Sequence, residues 1–321
     1  MAMRGPRLLA AVLTVSALVL GACGTGGGGS GNDAATEFAS CSVTAGVADA
    51  RNEPVGNEDV IIAAFVGWDE SAASAYLMGR ILADNGYNAQ VKTLDIGVAF
   101  SATADGIVNA LTDVWLPTTH RSYIDQYRAR MEPLGCWYDH GRSTIAVNSS
   151  SPARSIADLA TMGSDYGNTI VGIEPGAGET KLIQNSVIPE YGLEKLTLRS
   201  TSTAEMLAAL EQAHTDRTNI AVVMWRPNWA YAAFDIRDLE DPKGTMGGQE
   251  GLWNFATKGF TDRSPRAAQM FTNLILSDEN IAGLEELMVR KYGRADPEAA
   301  VSEWLTAHPD FEDRLVSGTL T

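Results

Sequence analysis

The chain has 321 residues, 45% of them apolar and 20% charged, a globular composition that excludes a disordered polypeptide. Its net charge of −16 excludes the Lys and Arg clusters that nucleic acid or an anionic membrane surface rewards. The length exceeds what one small core needs and points to one large domain or two lobes.

The N-terminus reads as a targeting segment. Arg4 and Arg7 precede an apolar run of 13 residues, Leu8 to Leu20, too short for an ordinary transmembrane helix. The run ends in Leu20-Gly21-Ala22-Cys23. Small residues before a cysteine resemble a bacterial lipobox, and that resemblance implies removal of residues 1–22 and lipidation of Cys23. The other reading is an ordinary signal peptide with an incidental cysteine. Gly24 to Gly31 is Gly/Ser-rich, the composition of a flexible tether, and residues 23–57 are read as lipidated Cys plus tether. Cys41 and Cys136 remain. In an oxidising, extracytoplasmic setting they could pair and pin the end of the tether to the body. Whether they do stays open. Neither has metal-ligand spacing, and no metal or cofactor is expected.

The body begins with Val60 to Val66, a continuous apolar run that predicts a strand buried on both faces. It breaks at Gly67-Trp68-Asp69-Glu70. A helix is predicted from Ser71 to Asp84, with Ala73, Leu77 and Ile81 at helical spacing and Asn85-Gly86 as the stop. Asp69 and Glu70 are read as starting and capping that helix. A strand follows over Asn88–Ile96, a helix over Ala102–Leu111, and a strand over Thr112–Trp115. That alternation predicts an α/β fold with a mostly parallel sheet.

A second unit repeats the pattern. Strands are predicted at Ser143–Val147, Thr169–Ile173, Leu196–Arg199 and Asn219–Met224. Helices are predicted at Ser155–Ala160, from Lys181, and over Ser202–Ala213, with Thr203 in the cap region. From Asp241 the sequence loosens, and helices dominate from about Ser264. The organisation predicted is two α/β lobes, the second inserted in the first: residues 58–141 and 243–321 form lobe I, and residues 142–242 form lobe II.

Three tryptophans lie just past apolar strands: Trp68, Trp115 and Trp225. Strand carboxyl ends in α/β sheets line the ligand crevice. An indole face attracts a cation through its quadrupole, worth roughly 0.5–2 kcal/mol per desolvated contact. A quaternary ammonium, with no N–H to donate, suits such a cage. Trp137, Trp229, Trp253 and Trp304 are read as packing. His120 shares a loop with Trp115 and could donate a hydrogen bond to a ligand carboxylate, the alternative being a plain surface histidine. The Gly176-Ala177-Gly178 turn between strand and helix could seat an anion on backbone N–H groups, or be only a tight turn. No GxSxG, HExxH or CxxC motif supports catalysis.

Taken together, Gly67-Trp68-Asp69-Glu70, Val114-Trp115-Leu116-Pro117-Thr118-Thr119-His120, Gly172-Ile173-Glu174-Pro175-Gly176-Ala177-Gly178 and Trp225-Arg226-Pro227-Asn228-Trp229 resemble the glycine betaine and proline betaine binding proteins of ABC transporters. The stretch Phe234 to Lys243 adds to the resemblance, which runs from about residue 58 to the end. It implies a two-lobed periplasmic-binding-protein fold of type II, closing on its ligand. It implies a trimethylammonium cage of Trp68, Trp115 and Trp225, with His120 and the backbone N–H groups of Gly178 and Glu179 holding a carboxylate. It also implies an ABC permease with its ATPase as partner, and no enzymatic activity. Related choline binders carry an aromatic where this chain has Ser143, a difference that favours a betaine. A choline or carnitine binder of the same fold, or a sensor or enzyme built on it, are the alternatives.

Overall fold

The computed structural model of the protein describes residues 1, 2 and 37–321. The expected leader, Cys23 and the first part of the expected tether, residues 3–36, lie outside the described residues. Nine strands build two sheets joined through one long strand. In the first sheet, β1 (Val60–Phe65) lies between β2 (Ala89–Leu94) and β3 (Ala110–Leu116), all parallel. Next come β9 (Glu250–Thr257), antiparallel to β3, and β4 (Met131–Asn148), antiparallel to β9. In the second sheet the far half of β4 pairs with β7 (Ala221–Arg226), which continues to β5 (Thr169–Val171) and β6 (Thr197–Arg199). A short β8 (Ile236–Asp238) lies on the other edge of β4.

The changeover along β4 is sharp. Gly141 pairs with Glu250 in the first sheet and Arg142 pairs with Arg226 in the second. A side chain at Gly141 would start 2.6 Å from Leu252, 2.9 Å from the Glu250 carbonyl and 3.1 Å from the Trp115 ring. Only glycine lets the strand pass beneath Trp115 there. Apolar side chains of β1 and β3 are buried along nearly their whole length, as parallel strands covered on both faces require.

The structure corrects several expectations. The helix expected over 102–111 is Ile96–Ala104, and β3 begins at Ala110. Gly106, at φ +75°, makes the turn that ends the helix early. The helix expected from Ser71 begins at Asp69. Asp69 and Glu70 are buried in its first turn, the N-cap position is Trp68, and no side chain caps it. Ser202, not Thr203, caps the helix Thr203–Asp216, in a capping box with Glu205. The return segment, read as loose and then helical, supplies β9 in the middle of the first sheet. Its periodicity is obscured by Gly251 and by Asn254, a fully buried amide whose Nδ2 donates to the Phe271 carbonyl at 2.7 Å.

The tether also ends earlier than residue 57. Phe38 is buried, with its ring edge-on to Trp253 and Phe255 at 5.1 and 5.5 Å. Asn273 brackets Ala48, accepting its N–H at 3.1 Å and donating to its carbonyl at 2.7 Å. Cys41 and Cys136 form a disulfide with Cα atoms 5.7 Å apart, closing a loop between residues 95 apart in sequence. Apolar anchors and backbone bonds thus dock residues 37–57 on the body. In the chain-entropy account, a cross-link over so long a loop stabilises by about 4–5 kcal/mol. Reducing it, or replacing Cys41 with Ala, should lower the unfolding free energy by about 2–5 kcal/mol in a urea titration. An unchanged midpoint would mean that the docked segment needs no cross-link.

Candidate ligand-binding site

Three strand ends and one helix start converge on a small cavity lined by Trp68, Glu70, Trp115, Thr119, His120, Ser143, Ile173, Glu179 and Trp225. Trp68 follows β1, Trp115 lies in β3, Trp225 lies in β7, and Glu179 opens the helix Gly178–Leu182. The strand-end tryptophans expected to form a cage are therefore brought together, with His120 and Glu179. The Trp68 and Trp225 rings have centroids 6.2 Å apart, inclined at 53°. The Trp68 and His120 rings are parallel within 6°, at 5.8 Å. Gly178 sits on the wall without lining the cavity. A Cβ there would fall 1.9 Å from the Thr119 carbonyl oxygen, so glycine is required for the two lobes to touch.

The Trp68, Trp115 and His120 rings are held by polar contacts. The Trp115 indole N–H donates to Asp113 Oδ1 at 2.7 Å. The Trp115 backbone N–H donates to His120 Nδ1 at 3.0 Å, and the His120 N–H returns to the Trp115 carbonyl at 2.9 Å. The Trp68 indole N–H reaches across the cleft to Glu174 Oε2 at 3.3 Å, and Glu174 in turn accepts from the N–H and hydroxyl of Thr203, both at 2.8 Å. The loop carrying His120 is fixed by Glu250, whose Oε1 accepts from the N–H groups of Thr118 and Thr119 at 2.6 and 2.9 Å. Leu116–Pro117 and Arg226–Pro227, each just beyond a cage tryptophan, are cis peptides.

His120 is fully buried, and burial, helped by the positive charge of Lys181, pushes its pKa down to about 3. The ring is neutral at physiological pH. Because Nδ1 accepts from Trp115, the proton sits on Nε2, and this buried N–H has no protein partner. A buried donor left unpaired costs about 1–3 kcal/mol, so an acceptor placed at Nε2 would be favoured.

Acidic groups were missed as site residues. Glu70, read as a helix-start residue, lines the cavity, and its Oε2 has no partner. Burial raises its pKa well above the usual carboxylate range, reinforced by Asp113 and Glu285. The Trp225 indole N–H lies beside Glu70 and opposes the rise without closing a hydrogen bond. Asp113 is pushed up to about 7 by burial, against the pull of Trp115 and Ser71. Glu179 is raised by burial while its Oε1 accepts the Thr144 N–H at 3.0 Å. Acidic residues at a helix start normally signal only a favourable first turn, which is why sequence reading passed over Glu70.

Trp229, read as packing, does pack against the core and on Phe234, and its indole N–H also donates to Asp69 Oδ2 at 2.7 Å, from one lobe to the other. Further bonds cross the cleft from the Tyr123 hydroxyl to the Gly176 carbonyl at 2.8 Å and between the hydroxyls of Thr119 and Ser143 at 3.1 Å. Trp137 and Trp304 are core residues, and Trp253 packs on Phe38. Among the described residues no cluster of His, Cys, Asp and Glu could hold a metal ion.

The pKa of Asp113 gives a signed expectation. Its carboxyl is raised in the folded chain, so the stability it contributes is complete below about pH 4 and is lost as pH rises through about 7. Asp113→Asn should flatten that loss, on the order of 2–4 kcal/mol, in denaturation midpoints compared at pH 5 and pH 8. An equal pH slope in the wild type would place the ionisation elsewhere.

Residues 58–307 match the family described as the substrate-binding domain of ABC-type glycine betaine transport systems. The glycine betaine/carnitine transport binding protein of Listeria monocytogenes is 33% identical over 159 residues, 49% of this chain and 52% of that protein, so the match spans about half the relative's length. The closed, glycine betaine-bound structure of lactococcal OpuAC superposes with a TM-score of 0.75 at 26% identity, over 81% of this chain and all of that one. The ProX protein of Borrelia burgdorferi has a TM-score of 0.75 at 23% identity, over 82% of this chain and all of that one, a likeness of fold. Fold and family thus agree, and the chain belongs to the two-lobed substrate-binding domains of ABC-type glycine betaine transport systems.

Proposed function

We propose that the protein captures glycine betaine or a close relative outside the membrane and delivers it to an ABC permease and its ATPase, supplying an osmoprotectant. Residues 58–141 and 243–321 act as lobe I and residues 142–242 as lobe II. Trp68, Trp115 and Trp225 enclose the trimethylammonium group. His120 Nε2–H holds the carboxylate, together with the N–H groups of Gly178 and Glu179, which as first residues of a helix have no intrahelical partner. The observation that carries this reading is the neutral, fully buried His120 whose Nε2–H is unpaired beside an aromatic cage. A ligand with a cation at one end and an acceptor at the other satisfies both. Cys23 carries the lipid that keeps the protein at the membrane. No reaction is catalysed.

A choline or carnitine ligand is the second reading. The unpaired Glu70 Oε2 favours it, because a ligand hydroxyl could donate there. Calorimetric titration of the protein with glycine betaine, proline betaine, carnitine and choline separates the two. Glycine betaine should bind more tightly than choline. Trp115→Ala should weaken both about 10-fold or more, through lost cation–π contact and a cavity. His120→Phe should weaken glycine betaine about 10-fold or more and choline by less than half that factor. Tighter choline binding would transfer the assignment to a choline carrier, and no binding of any quaternary amine would remove the cage. In cell fractionation, Cys23→Ser should move the protein from the membrane to the soluble fraction; retention at the membrane would exclude the lipid anchor.

A further inference from the structure

Trp229 lies four residues beyond the cage residue Trp225 and does not line the cavity. Asp69 is the chain neighbour of the cage residue Trp68 and is 6% exposed. The two meet across the cleft through the indole N–H at 2.7 Å. Arg294 closes the same cluster from lobe I, its Nε at 2.8 Å from Asp69 Oδ1 and its Nη2 at 2.8 Å from Oδ2. The guanidinium carbon lies 5.6 Å from the Trp229 ring centroid. Glu285, buried on the helix Asp278–Glu286, faces the Trp229 backbone N–H. Trp229 is thus seated among three ionisable residues of lobe I, Asp69, Arg294 and Glu285.

Arg294 reaches this position from an uncommon backbone. Its φ is +62°, the left-handed region that residues other than glycine rarely adopt, directly after Gly293 at φ +58° and the π-turn Leu287–Lys291. Such conformations persist where the surroundings over-determine them, and they gather at functional sites.

We infer that Asp69, Arg294 and Trp229 form a latch, outside the cage, that holds the lobes closed and sets how long the ligand stays. The bidentate Arg294–Asp69 pair lies wholly within lobe I, so half of the latch is preformed, and the geometry it fixes accepts a single N–H from lobe II. Register ties latch to cage. Asp69 moves with Trp68 and Trp229 moves with Trp225, so the closure that brings the two cage rings to 6.2 Å also makes the 2.7 Å bond. These are positioning residues. They raise the closed fraction, and apparent affinity scales with that fraction although no ligand contact changes. The readout in affinity rests on the ligand reading above; the readout in lobe separation does not.

Trp229→Phe keeps an aromatic ring and deletes the N–H, and Arg294→Gln is a second variant should the first repack. Two measurements apply: glycine betaine dissociation by stopped-flow tryptophan fluorescence, and the separation of spin labels at Lys92→Cys in lobe I and Lys195→Cys in lobe II, both exposed sites. Loss of one charge-assisted bond should speed dissociation about 10- to 100-fold, with association within about 3-fold of wild type. Label distances should broaden toward open in the unliganded variant and coincide with wild type at saturating ligand. Dissociation within about 2-fold of wild type in both variants, or a loss of affinity through slower association, overturns the latch. If wild type binds no quaternary amine, the ligand reading fails and the unliganded label distances decide. A wider separation in Trp229→Phe than in wild type sustains the latch, and identical distributions overturn it.

Discussion

The cleft is short of positive charge. Asp69, Glu70, Asp113, Glu179, Glu250 and Glu285 are all buried around it, and no Lys or Arg is buried among the described residues. An isolated ionised carboxylate in such surroundings is costly, and the usual escape is a raised pKa, as burial produces at Glu70, Asp113, Glu179, Glu250 and Glu285. Asp69 is paired bidentately with the half-exposed Arg294. Trp68, Trp115 and Trp225 line the same cavity, and an indole face attracts a cation without demanding a proton from it. In the proposed function, aromatic walls beside acids held largely protonated favour a permanent, weakly hydrated positive charge.

In the proposed function His120 meets the other end of the ligand, and its state follows the same logic of desolvation. The Asp113 backbone carbonyl would favour an imidazolium, yet complete burial and Lys181 keep the ring neutral. Its tautomer is then decided by a backbone N–H, that of Trp115, five residues earlier. One loop thus carries a cage wall and the hydrogen-bond donor, and each fixes the other's orientation. Glu250, arriving from β9, holds the following turn through two backbone N–H groups.

Much of this was legible from local patterns. Apolar runs ending in Gly-Trp, Trp-Leu-Pro and Trp-Arg-Pro announce strand ends with a large aromatic placed where ligands sit in α/β sheets, and the structure puts Trp68, Trp115 and Trp225 there. What was illegible depended on tertiary context. Glu70 has the spacing of an ordinary first-turn acid, and only the arrival of Trp225 from the other lobe makes it a cavity residue. Trp229 looks like a second packing residue on its loop, because its partner Asp69 lies 160 residues away in sequence. β9 hides behind Gly251 and the buried Asn254, since a strand covered on both faces by neighbours has no alternation to display. Residues 37–57 have the polar look of a tether, but a few anchors such as Phe38, Cys41 and Ala50 suffice to dock them.

β4 explains how closure can be both mobile and specific. One continuous strand belongs to both sheets, and the pairing partner changes between Gly141 and Arg142. A bend there would leave each sheet's own ladder intact, so in the proposed function opening would expose the cleft without unfolding either lobe. The cleft itself is held by few bonds: Trp68 to Glu174, Trp229 to Asp69, Tyr123 to Gly176 and Thr119 to Ser143. Each is worth roughly 0.5–3 kcal/mol at most, the upper end for bonds to carboxylates. A ligand moves such an equilibrium only by its differential affinity for the closed state. Because walls from both lobes line the cavity, the proposed ligand would touch both only in the closed state. A few cleft bonds then decide how much of that affinity is left for retention, and how readily it is given up.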